Sequence, residues 1–377
     1  MKVGILTHPL ENNYGGLLQA FALQMVVKRM GHEVYTIDRH NKGTTSPFPK
    51  HLAGYLKRCF QRYIKKDPKV STKWDPRISL ETKKKLGQNM QSFIDRNIRV
   101  TDCVWSDNLR IIENKYRFDA YIVGSDQVWL PNYLLGSFLD FVDRDDVIKC
   151  TYAASCSAKS WTQEQVKECK ELVKSFKGIS VRETDLIDFC KEELGVDALH
   201  VLDPTLLLDK DDFLSAVDID NNIIESPVIF TYILDNSNMK KEALALVSSR
   251  YSNPIAWVNA KRPYYKRNDV NIDDCIFPSV DQWINNLNNA SFVITDSFHG
   301  TALSIVFNKQ FIAIANKSRG ISRFKSLLNM FGLEDRLVTS LDQIESILKK
   351  KIDYESVNNT LKEKRIISIN YLKAMLS

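Results

Sequence analysis

Short apolar runs alternate with longer segments of helical periodicity along most of the chain. The short runs are rich in Val, Ile, Leu and Phe, which is typical of buried parallel strands, and the longer segments favour amphipathic helices. The predicted strands are Lys2–Thr7, Glu33–Asp38, Asp119–Val123, Val147–Ala154, Gly178–Val181, Leu199–Leu202, Val228–Leu234, Pro254–Val258, a short one near Cys275–Ile276, Phe292–Ile294 and Phe311–Ala315. The predicted helices are Leu17–Met30, Leu52–Ile64, Leu80–Asp95, Gln163–Phe176, Thr184–Leu194, Met239–Tyr251, Val280–Asn289, Thr301–Phe307, Ile321–Phe331, Asp342–Lys350 and Glu355–Met375. This alternation predicts an α/β fold with parallel sheets.

The stretch from Phe292 to Asn316 carries the most concentrated polar chemistry. Its first strand runs into Ser297–Gly300, which we interpret as a tight polar turn before a short helix. Such a turn lies at the carboxyl edge of an α/β sheet, where ligands bind and where the amides of a helix start favour an anion. Asp296, Ser297 and His299 are therefore candidate functional residues. The structural alternative is that Asp and Ser cap the helix and that the His is an ordinary buried polar group.

Three arginines are placed where they can meet an anion. Arg319 and Arg323 lie four residues apart and share one face of a helix, from which they can converge with His299 on a phosphate or carboxylate. Arg182 ends a predicted strand, so it reaches into a crevice more directly than an arginine on a helix face. Glu183 follows it directly, and a structural ion pair between these neighbours is the alternative.

Two glycine-containing segments follow predicted strands in the first half of the chain. Gly15 and Gly16 come soon after the first strand in a chain with only 14 glycines, and such a pair lets the backbone approach a ligand or a packed partner closely. They do not form the dinucleotide-binding pattern GxGxxG. Gly124–Gln127 ends another strand and offers amides, a hydroxyl and a carboxylate to a cleft, although Gly-Ser-Asp is also ordinary turn chemistry.

The length of 377 residues predicts two domains with separate cores. We expect an N-terminal domain over residues 1–205, a C-terminal domain over 206–350 and a C-terminal helix over 351–377. Residues 41–115 depart from the regular pattern and are expected to form a basic helical insertion in the first domain. Within it, Lys50–Lys85 carries twelve Lys or Arg against three acidic residues, a net charge of +9 in a chain whose total is +6.

This local charge surplus is interleaved with aromatic residues, so it would suit an anionic membrane surface or nucleic acid. A solvated helical insertion is the alternative interpretation. Of the two partners, we predict peripheral contact with the inner face of a membrane and expect no nucleic acid.

Composition excludes several classes of protein. With 44% hydrophobic and 26% charged residues the chain has the make-up of a globular protein, and no apolar run approaches a membrane span. The N-terminal segment lacks the apolar core and cleavage site of a signal peptide, so we expect a cytoplasmic protein. The seven cysteines show neither zinc spacing nor a disulfide framework, which fits a reducing compartment. We therefore expect no metal and no cofactor.

Five motifs in a fixed order resemble those of the polysaccharide pyruvyl transferase family. The resemblance extends from Val3 to about Arg336, and the ordered set is more specific than any one motif. The motifs are Asn13–Gly16 with Leu18–Gln24, Gly124–Trp129, Ser180–Glu183, Leu202–Thr205 and Thr295–Gly300.

The resemblance implies two Rossmann-like domains facing across a cleft, as in GT-B glycosyltransferases, with the C-terminal helices packing back on the first domain. It implies transfer of the pyruvyl group of phosphoenolpyruvate onto two hydroxyls of a sugar, free or lipid-linked, to give a cyclic ketal. Phosphoenolpyruvate is then a co-substrate.

The family's key histidine corresponds to His299, for which Asp296 is the expected orienting partner. A family arginine corresponds to Arg182 and a downstream donor-binding arginine to Arg319, with Arg323 next to it. Ser297 stands where several branches of the family carry an arginine, so we expect either rearranged donor contacts or a different substrate. The remaining candidates are Ser297 and Gly300 for the donor, and Asn13, Gly15, Gly16, Gln19, Gly124, Ser125, Asp126 and Gln127 for the cleft and the acceptor.

Two other functions are compatible with the sequence. A nucleotide-sugar glycosyltransferase of the same architecture would use the His and Arg side chains to hold a diphosphate. A non-catalytic scaffold would bind a membrane or nucleic acid through Lys50–Lys85, and His299 would then be dispensable.

Overall fold

A computed structural model describes residues 1–40, 48–66, 80–156, 161–218, 227–235, 237–261, 264, 271–314 and 320–377. Within these residues the chain forms two α/β units, each built on a parallel sheet. The strands are β1 (Lys2–Leu6), β2 (Glu33–Thr36), β3 (Arg39–His40), β4 (Val104–Trp105), β5 (Ala120–Val123), β6 (Ile148–Thr151), β7 (Ile179–Val181), β8 (Ala198–His200), β9 (Val228–Tyr232), β10 (Ile255–Trp257), β11 (Ala290–Thr295), β12 (Phe311–Ile314) and β13 (Leu337–Val338).

The helices alternate with these strands and cover the sheets. They are α1 (Tyr14–Arg29), α2 (Phe48–Cys59), α3 (Leu80–Leu86), α4 (Gln88–Asn97), α5 (Arg110–Tyr116), α6 (Leu134–Ser137), α7 (Gln163–Leu172), α8 (Asp185–Phe189), α9 (Lys210–Ser215), α10 (Asn238–Tyr251), α11 (Val280–Asn288), α12 (Phe298–Val306), α13 (Ile321–Met330), α14 (Asp342–Lys349) and α15 (Tyr354–Met375).

The first unit has the strand order β2-β1-β5-β6, and every pair in it is parallel. Parallel bridges from Cys150 to Gly178 and from Ala154 to Val181 continue the sheet to β7, which pairs with β8. The inner strands β1 and β5 are almost fully buried, as their continuous apolar sequences require. The carboxyl ends of β1, β5 and β7 therefore lie along one edge and present the residues that follow them.

The second unit has the order β10-β9-β11-β12-β13, again with parallel pairs throughout. β11 is the central strand, and the first turn of α12 follows its carboxyl end directly. The two units meet through an apolar contact in which the ring of Tyr14 stacks on Trp283 at 5.9 Å between centroids. The Tyr14 hydroxyl donates to the carbonyl of Pro278 at 2.7 Å, which fixes the start of α1 against the second unit.

The long helix α15 leaves the second unit and packs on the first. Its Tyr371 hydroxyl donates to the carbonyl of Thr151 at 2.9 Å, and its Ser368 hydroxyl accepts from the amide of Leu202 at 3.0 Å. Two parallel α/β units with a returning C-terminal helix confirm the architecture expected from the sequence. Among the described helices, none combines the length and apolarity needed to span a bilayer.

Three local expectations were wrong. Ser297–Gly300 is not a free turn, because α12 already begins at Phe298 and His299 lies in its first turn. The residues before Ile276 form a short 3-10 helix, Ile272–Cys275, and not a strand. The second helix of the insertion is broken at Gly87 into α3 and α4, because the Gly87 backbone lies against Asn12 and a Cβ there would come 2.0 Å from the Asn12 Oδ1.

Candidate active site

The first turn of α12 places His299 at the carboxyl edge of the second sheet. Ser297 caps the helix: its hydroxyl accepts from the amide of Gly300 at 3.4 Å, and its carbonyl accepts from the amide of Thr301. A Cβ at Gly300 would lie 2.3 Å from the Thr295 Oγ1, so only glycine fits there. Ser297 and Gly300 thus build the turn that aims His299.

His299 points across the domain boundary into the first unit. Its Nε2 lies 3.6 Å from the Oδ2 of Asp203. A Cβ added to Gly15 would lie only 2.1 Å from the His299 Nδ1, so the imidazole packs directly on the Gly15 backbone. The side chain is buried. Residues from three separate parts of the chain therefore fix the position of one imidazole.

Asp203, at the end of the segment that follows β8, is the carboxylate that faces His299. Its Oδ2 also accepts from Arg182 at 2.8 Å and from the Ser125 hydroxyl at 2.9 Å, while Oδ1 accepts from the amide and hydroxyl of Thr205. Burial alone would raise the pKa of Asp203, but the charges and hydrogen bonds of His299 and Arg182 hold it well below its usual range. Asp203 is therefore ionised at neutral pH, and its carboxylate can serve as the counter-charge of a protonated His299.

Arg182 lies at the centre of the cluster. Its guanidinium contacts the carboxylates of Asp203, Glu183 and Asp126 at 2.8, 3.2 and 3.8 Å, and one face stacks on the Phe298 ring at 4.3 Å. Burial would lower the pKa of Arg182, but the three carboxylates raise it above its usual range. Its charge is thus already matched within the protein, and a donor-binding role for it stays a prediction.

Asp126 and Gln127 follow β5, and the Asp126 carboxylate lies 3.8 Å from Arg182. Asp126 adopts a left-handed backbone with φ of 75°, and its carboxylate accepts from the Gln127 amide at 2.9 Å. Burial raises the pKa of Asp126, but the charges of His8, His299, Arg182 and Arg323 lower it to about 2. Arg323 therefore lies within electrostatic reach of the same cluster, and its role in donor binding stays a prediction.

Asp296 has different partners from those expected. Its carboxylate accepts from the amides of Leu234 and Asp235, at 2.7 and 3.4 Å, and forms an ion pair with Lys240 at 2.5 Å. These contacts hold the loop after β9 against the end of β11. The carboxylate that lies beside His299 is thus that of Asp203. Asp296 instead stabilises the end of β11, just before α12 begins.

Four other candidates shape the backbone around the cluster. Asn13 is the N-cap residue of α1, and a Cβ on Gly16 would lie 3.0 Å from its Nδ2. Gln19 is buried and donates to the Thr7 hydroxyl and the Gly16 carbonyl, at 2.8 and 2.9 Å. A Cβ on Gly124 would sit within 3.4 Å of neighbouring side chains, so its backbone needs the space. Arg319 lies outside the described residues.

A cleft of about 1,150 Å³ is lined by residues of both units. The first unit contributes Asn13 to its lining, and the second contributes Tyr232 and Asp235 from the end of β9. Trp257, at the end of β10, lines the cleft with half of its surface exposed. An exposed indole with amide and carboxylate side chains around it is suited to a polar ring-shaped ligand.

One group of side chains in the described part of the chain has the make-up of a metal site. The ligand atoms of Asp38, His40 and Cys103 lie within 4.8 Å of one another beside a pocket of about 520 Å³. His40 also lies 3.5 Å from Glu11, so its ring sits between two carboxylates. An imidazolium paired with carboxylates accounts for this arrangement, and the expectation of metal-free chemistry stays a prediction.

Sequence reasoning missed two residues of the cluster. Asp203 lies in the motif Leu202–Thr205 and follows β8 closely. This position after a strand, within a motif, was the signal that could have identified it. His8 follows β1 directly and lies 4.7 Å from the ring of Tyr133. Its position after a strand was visible, but its approach to Asp126 was not.

Comparisons with known proteins agree with this architecture. The model of the family described as polysaccharide pyruvyl transferase matches residues 13–318, which is most of the chain. No curated protein sequence matches the chain.

Solved structures of the same fold share little sequence with it. The UDP-GlcNAc 2-epimerase from Methanocaldococcus jannaschii has 11% identity and a TM-score of 0.52, covering 99% of this chain and 100% of that one. The S. aureus MnaA–UDP co-structure has 12% identity and a TM-score of 0.51, covering 100% and 96%. The likeness is one of fold, and it confirms two Rossmann-like domains of the GT-B type.

Proposed function

The chain belongs to the polysaccharide pyruvyl transferase family, and on that basis we propose that it moves the pyruvyl group of phosphoenolpyruvate onto two hydroxyls of a sugar. The products are a cyclic ketal and inorganic phosphate. The observation that carries the proposal is the approach of His299, from the second unit, to Asp203 and Arg182 of the first. Acid–base chemistry at a domain boundary suits two substrates that enter from opposite sides.

His299 acts as the acid in this scheme. Protonation of the methylene carbon of phosphoenolpyruvate gives the neighbouring carbon cationic character, and the first sugar hydroxyl attacks that carbon and loses its proton. The second hydroxyl then displaces phosphate from the same carbon, which closes the ketal. Asp203 stabilises the imidazolium and fixes the ring, as a carboxylate behind a catalytic histidine does.

The donor is an anion with a carboxylate and a phosphate, and cations near His299 would hold it. Arg323 supplies positive charge at the cluster: it helps to lower the pKa of Asp126 against the effect of burial, and it opposes the rise that burial causes in the pKa of Glu183. Arg319 stays a proposed donor contact on the family resemblance alone. Arg182, matched by three carboxylates, would orient Asp203 and the strand ends around the donor.

The sugar acceptor occupies the cleft in this proposal. Trp257 offers an exposed ring on which a sugar face can stack, and Asn13 places a side-chain amide on the opposite wall. Asn13 precedes α1 by one residue, and Gly15 of that helix packs on His299. The acceptor hydroxyls would therefore approach the imidazole from the cleft.

A lipid-linked acceptor would bring the enzyme to a membrane surface. Leu56, Phe60 and Ile64 follow one another at intervals of four along α2 and the π-helical turn after it, and all three are exposed. Residues 48–66 carry six Lys or Arg and no acidic residue. An exposed apolar stripe on a basic helix suits an anionic lipid surface, and two copies of the helix would repel each other.

Phosphate release from phosphoenolpyruvate, measured across a panel of free and lipid-linked glycans, tests the reaction. We expect acceptor-dependent release and a pyruvylated product of matching amount. Thermal shifts with phosphoenolpyruvate and with UDP-sugars separate the proposal from a glycosyltransferase. Stabilisation by UDP-sugars alone, with no phosphate release from phosphoenolpyruvate, would reject it.

A further inference from the structure

A second arginine of the first unit is buried without a matching negative charge from the residues that the structure describes. Arg39 lies on β3 with 1% of its surface exposed. Its Nε donates to the carbonyl of Thr7 at 2.6 Å, and its guanidinium carbon lies 5.0 Å from the Tyr133 ring centre. Its Nη2 is buried and has no hydrogen-bond partner in the described ranges of the chain. Within the described residues, no carboxylate lies at ion-pair distance from it.

Burial lowers the pKa of Arg39 to about 10, and among the described residues no carboxylate offsets that effect. This is the opposite of Arg182, whose three carboxylates raise its pKa. A buried charge is costly unless it is paired, and buried polar atoms are rarely left without a partner. The arrangement is therefore typical of a site whose anion arrives with a ligand.

His8 extends this feature towards the active site. It follows Thr7, and its ring lies 4.7 Å from the Tyr133 ring that also faces Arg39. The Nε2 of His8 is buried and has no hydrogen-bond partner. His8 is the first of the charges that lower the pKa of Asp126, and His299 is the second. Tyr133 and His8 thus connect Arg39 to Asp126, which belongs to the cluster around His299.

We propose that Arg39 and His8 form an oxyanion subsite that binds the phosphate or carboxylate of the donor substrate. The subsite lies just beyond the carboxyl end of β1, where ligands of α/β sheets bind. An oxyanion there supplies the acceptor atoms that Nη2 and Nε2 lack, and a guanidinium binds such groups through paired hydrogen bonds. The identity of the donor rests on the proposed function, but the subsite itself does not.

The matched control is Arg336, which is equally buried but has structural partners. Its Nη2 donates to the carbonyl of Lys350 at 2.6 Å, and its Nε lies 3.5 Å from Asp335. Arg336→Met should lower the melting temperature and leave anion binding unchanged. Arg39→Met removes an unmatched charge with little change of volume, so it should leave the melting temperature of the free protein equal or higher.

Binding of phosphoenolpyruvate and of inorganic phosphate to these variants tests the subsite, by calorimetry and by thermal shift. We expect Arg39→Met to weaken phosphoenolpyruvate binding about a hundredfold. Arg39→Lys, which keeps the charge but loses the paired geometry, should weaken it about tenfold. Loss of phosphate binding as well identifies the phosphate as the bound group, whereas retained phosphate binding identifies the carboxylate.

Two results would overturn the subsite. One is an Arg39→Met protein that binds both anions as the native protein does. The other is a folded Arg39→Lys protein with unchanged anion affinity. A native protein that binds phosphoenolpyruvate through Arg39 but releases no phosphate with any acceptor would keep the subsite and reject the proposed reaction. An Arg39→Met protein with normal turnover and an unchanged KM for phosphoenolpyruvate would keep the proposed reaction and reject the subsite.

Discussion

Gly15 and His299 are in direct contact across the domain boundary, and a Cβ on the glycine would lie 2.1 Å from the Nδ1 of the histidine. The second unit's key side chain is thus held by a backbone atom of the first unit's first helix. Gly15 is needed for this close approach, because any side chain would occupy the place of the imidazole.

Gly15→Ala should therefore move the His299 ring and lower kcat about a hundredfold or more, as a displacement of about 1 Å can do. Helix stability should not fall, since alanine favours the helix over glycine. Gly54→Ala is the control, because its Cβ would lie 3.6 Å from Arg58, an ordinary contact. Steady-state kinetics and thermal unfolding of both variants check this, and unchanged kcat in Gly15→Ala would show that the contact does not position the ring.

His299→Ala removes the proposed acid. We expect phosphate release from phosphoenolpyruvate to fall roughly 10²–10⁴-fold, the range typical of general acid–base help. The fold should persist, because Asp203 keeps Arg182, Ser125 and Thr205 as partners. Turnover is measured beside circular dichroism, and a folded variant with normal turnover would remove His299 from the mechanism.

Asp203→Asn should cost both activity and stability, since it leaves Arg182 short of a buried counter-charge. Breaking a buried pair costs about 3 kcal/mol or more of the free energy of unfolding. Because the pKa of Asp203 is lower in the folded protein than its ordinary 3.8, its stabilisation is present above that value and lost as the pH falls below it. The difference in the free energy of unfolding between the native and Asp203→Asn proteins should therefore become smaller below about pH 4.

Urea unfolding of native and Asp203→Asn proteins at neutral and acid pH measures this difference. Asp212→Asn serves as the control, because Asp212 pairs with the largely exposed Arg29 and such pairs contribute less than about 1 kcal/mol. If Asp203→Asn lowered the free energy of unfolding by the same amount at neutral and acid pH, the assigned direction of the Asp203 pKa shift would be contradicted.

Trp257→Ala tests the acceptor cleft. Loss of the stacking surface should raise the KM for the sugar acceptor about tenfold and leave the KM for phosphoenolpyruvate unchanged. Leu199→Ala removes an exposed apolar side chain outside the lining of that cleft and should change neither constant. Equal effects of Trp257→Ala on both substrates would place the acceptor elsewhere.

The exposed stripe on α2 predicts binding to lipid. The native protein should co-sediment with vesicles containing roughly one-third phosphatidylglycerol and less with neutral phosphatidylcholine vesicles, with the difference reduced by salt. Phe60→Ser with Ile64→Ser should weaken this binding about tenfold or more, because two exposed apolar side chains no longer enter the bilayer.

Ile366→Ser, which alters an equally exposed isoleucine on α15, is the control and should bind vesicles as the native protein does. Unaltered vesicle binding in the Phe60 and Ile64 double variant would reject the surface. So would a loss of self-association or of nucleic-acid binding in that variant without any effect on lipid.

Local patterns predicted the longer strands and helices but missed the short elements β3, β4, β13, α5, α6 and α9. β1, β5, β9, β11 and β12 read as continuous apolar runs because both faces of these strands are buried. The end of β11 was also identifiable as a site, since polar residues after a buried strand collect at the carboxyl edge. The exact start of α12 was missed, because Ser297 caps the helix by a hydrogen bond that periodicity does not reveal.

The sequence by itself determined the fold class and the family, and it predicted His299 as a candidate site residue. Only the tertiary structure decided which charges meet: Asp203 and not Asp296 faces His299, Arg182 is matched by three carboxylates, and Arg39 is matched by none from the described part of the chain. The physical reason is that the free energy of an ionised group depends on its burial and on the charges packed around it. Those neighbours come from distant segments, so their arrangement becomes defined only when the two domains pack together.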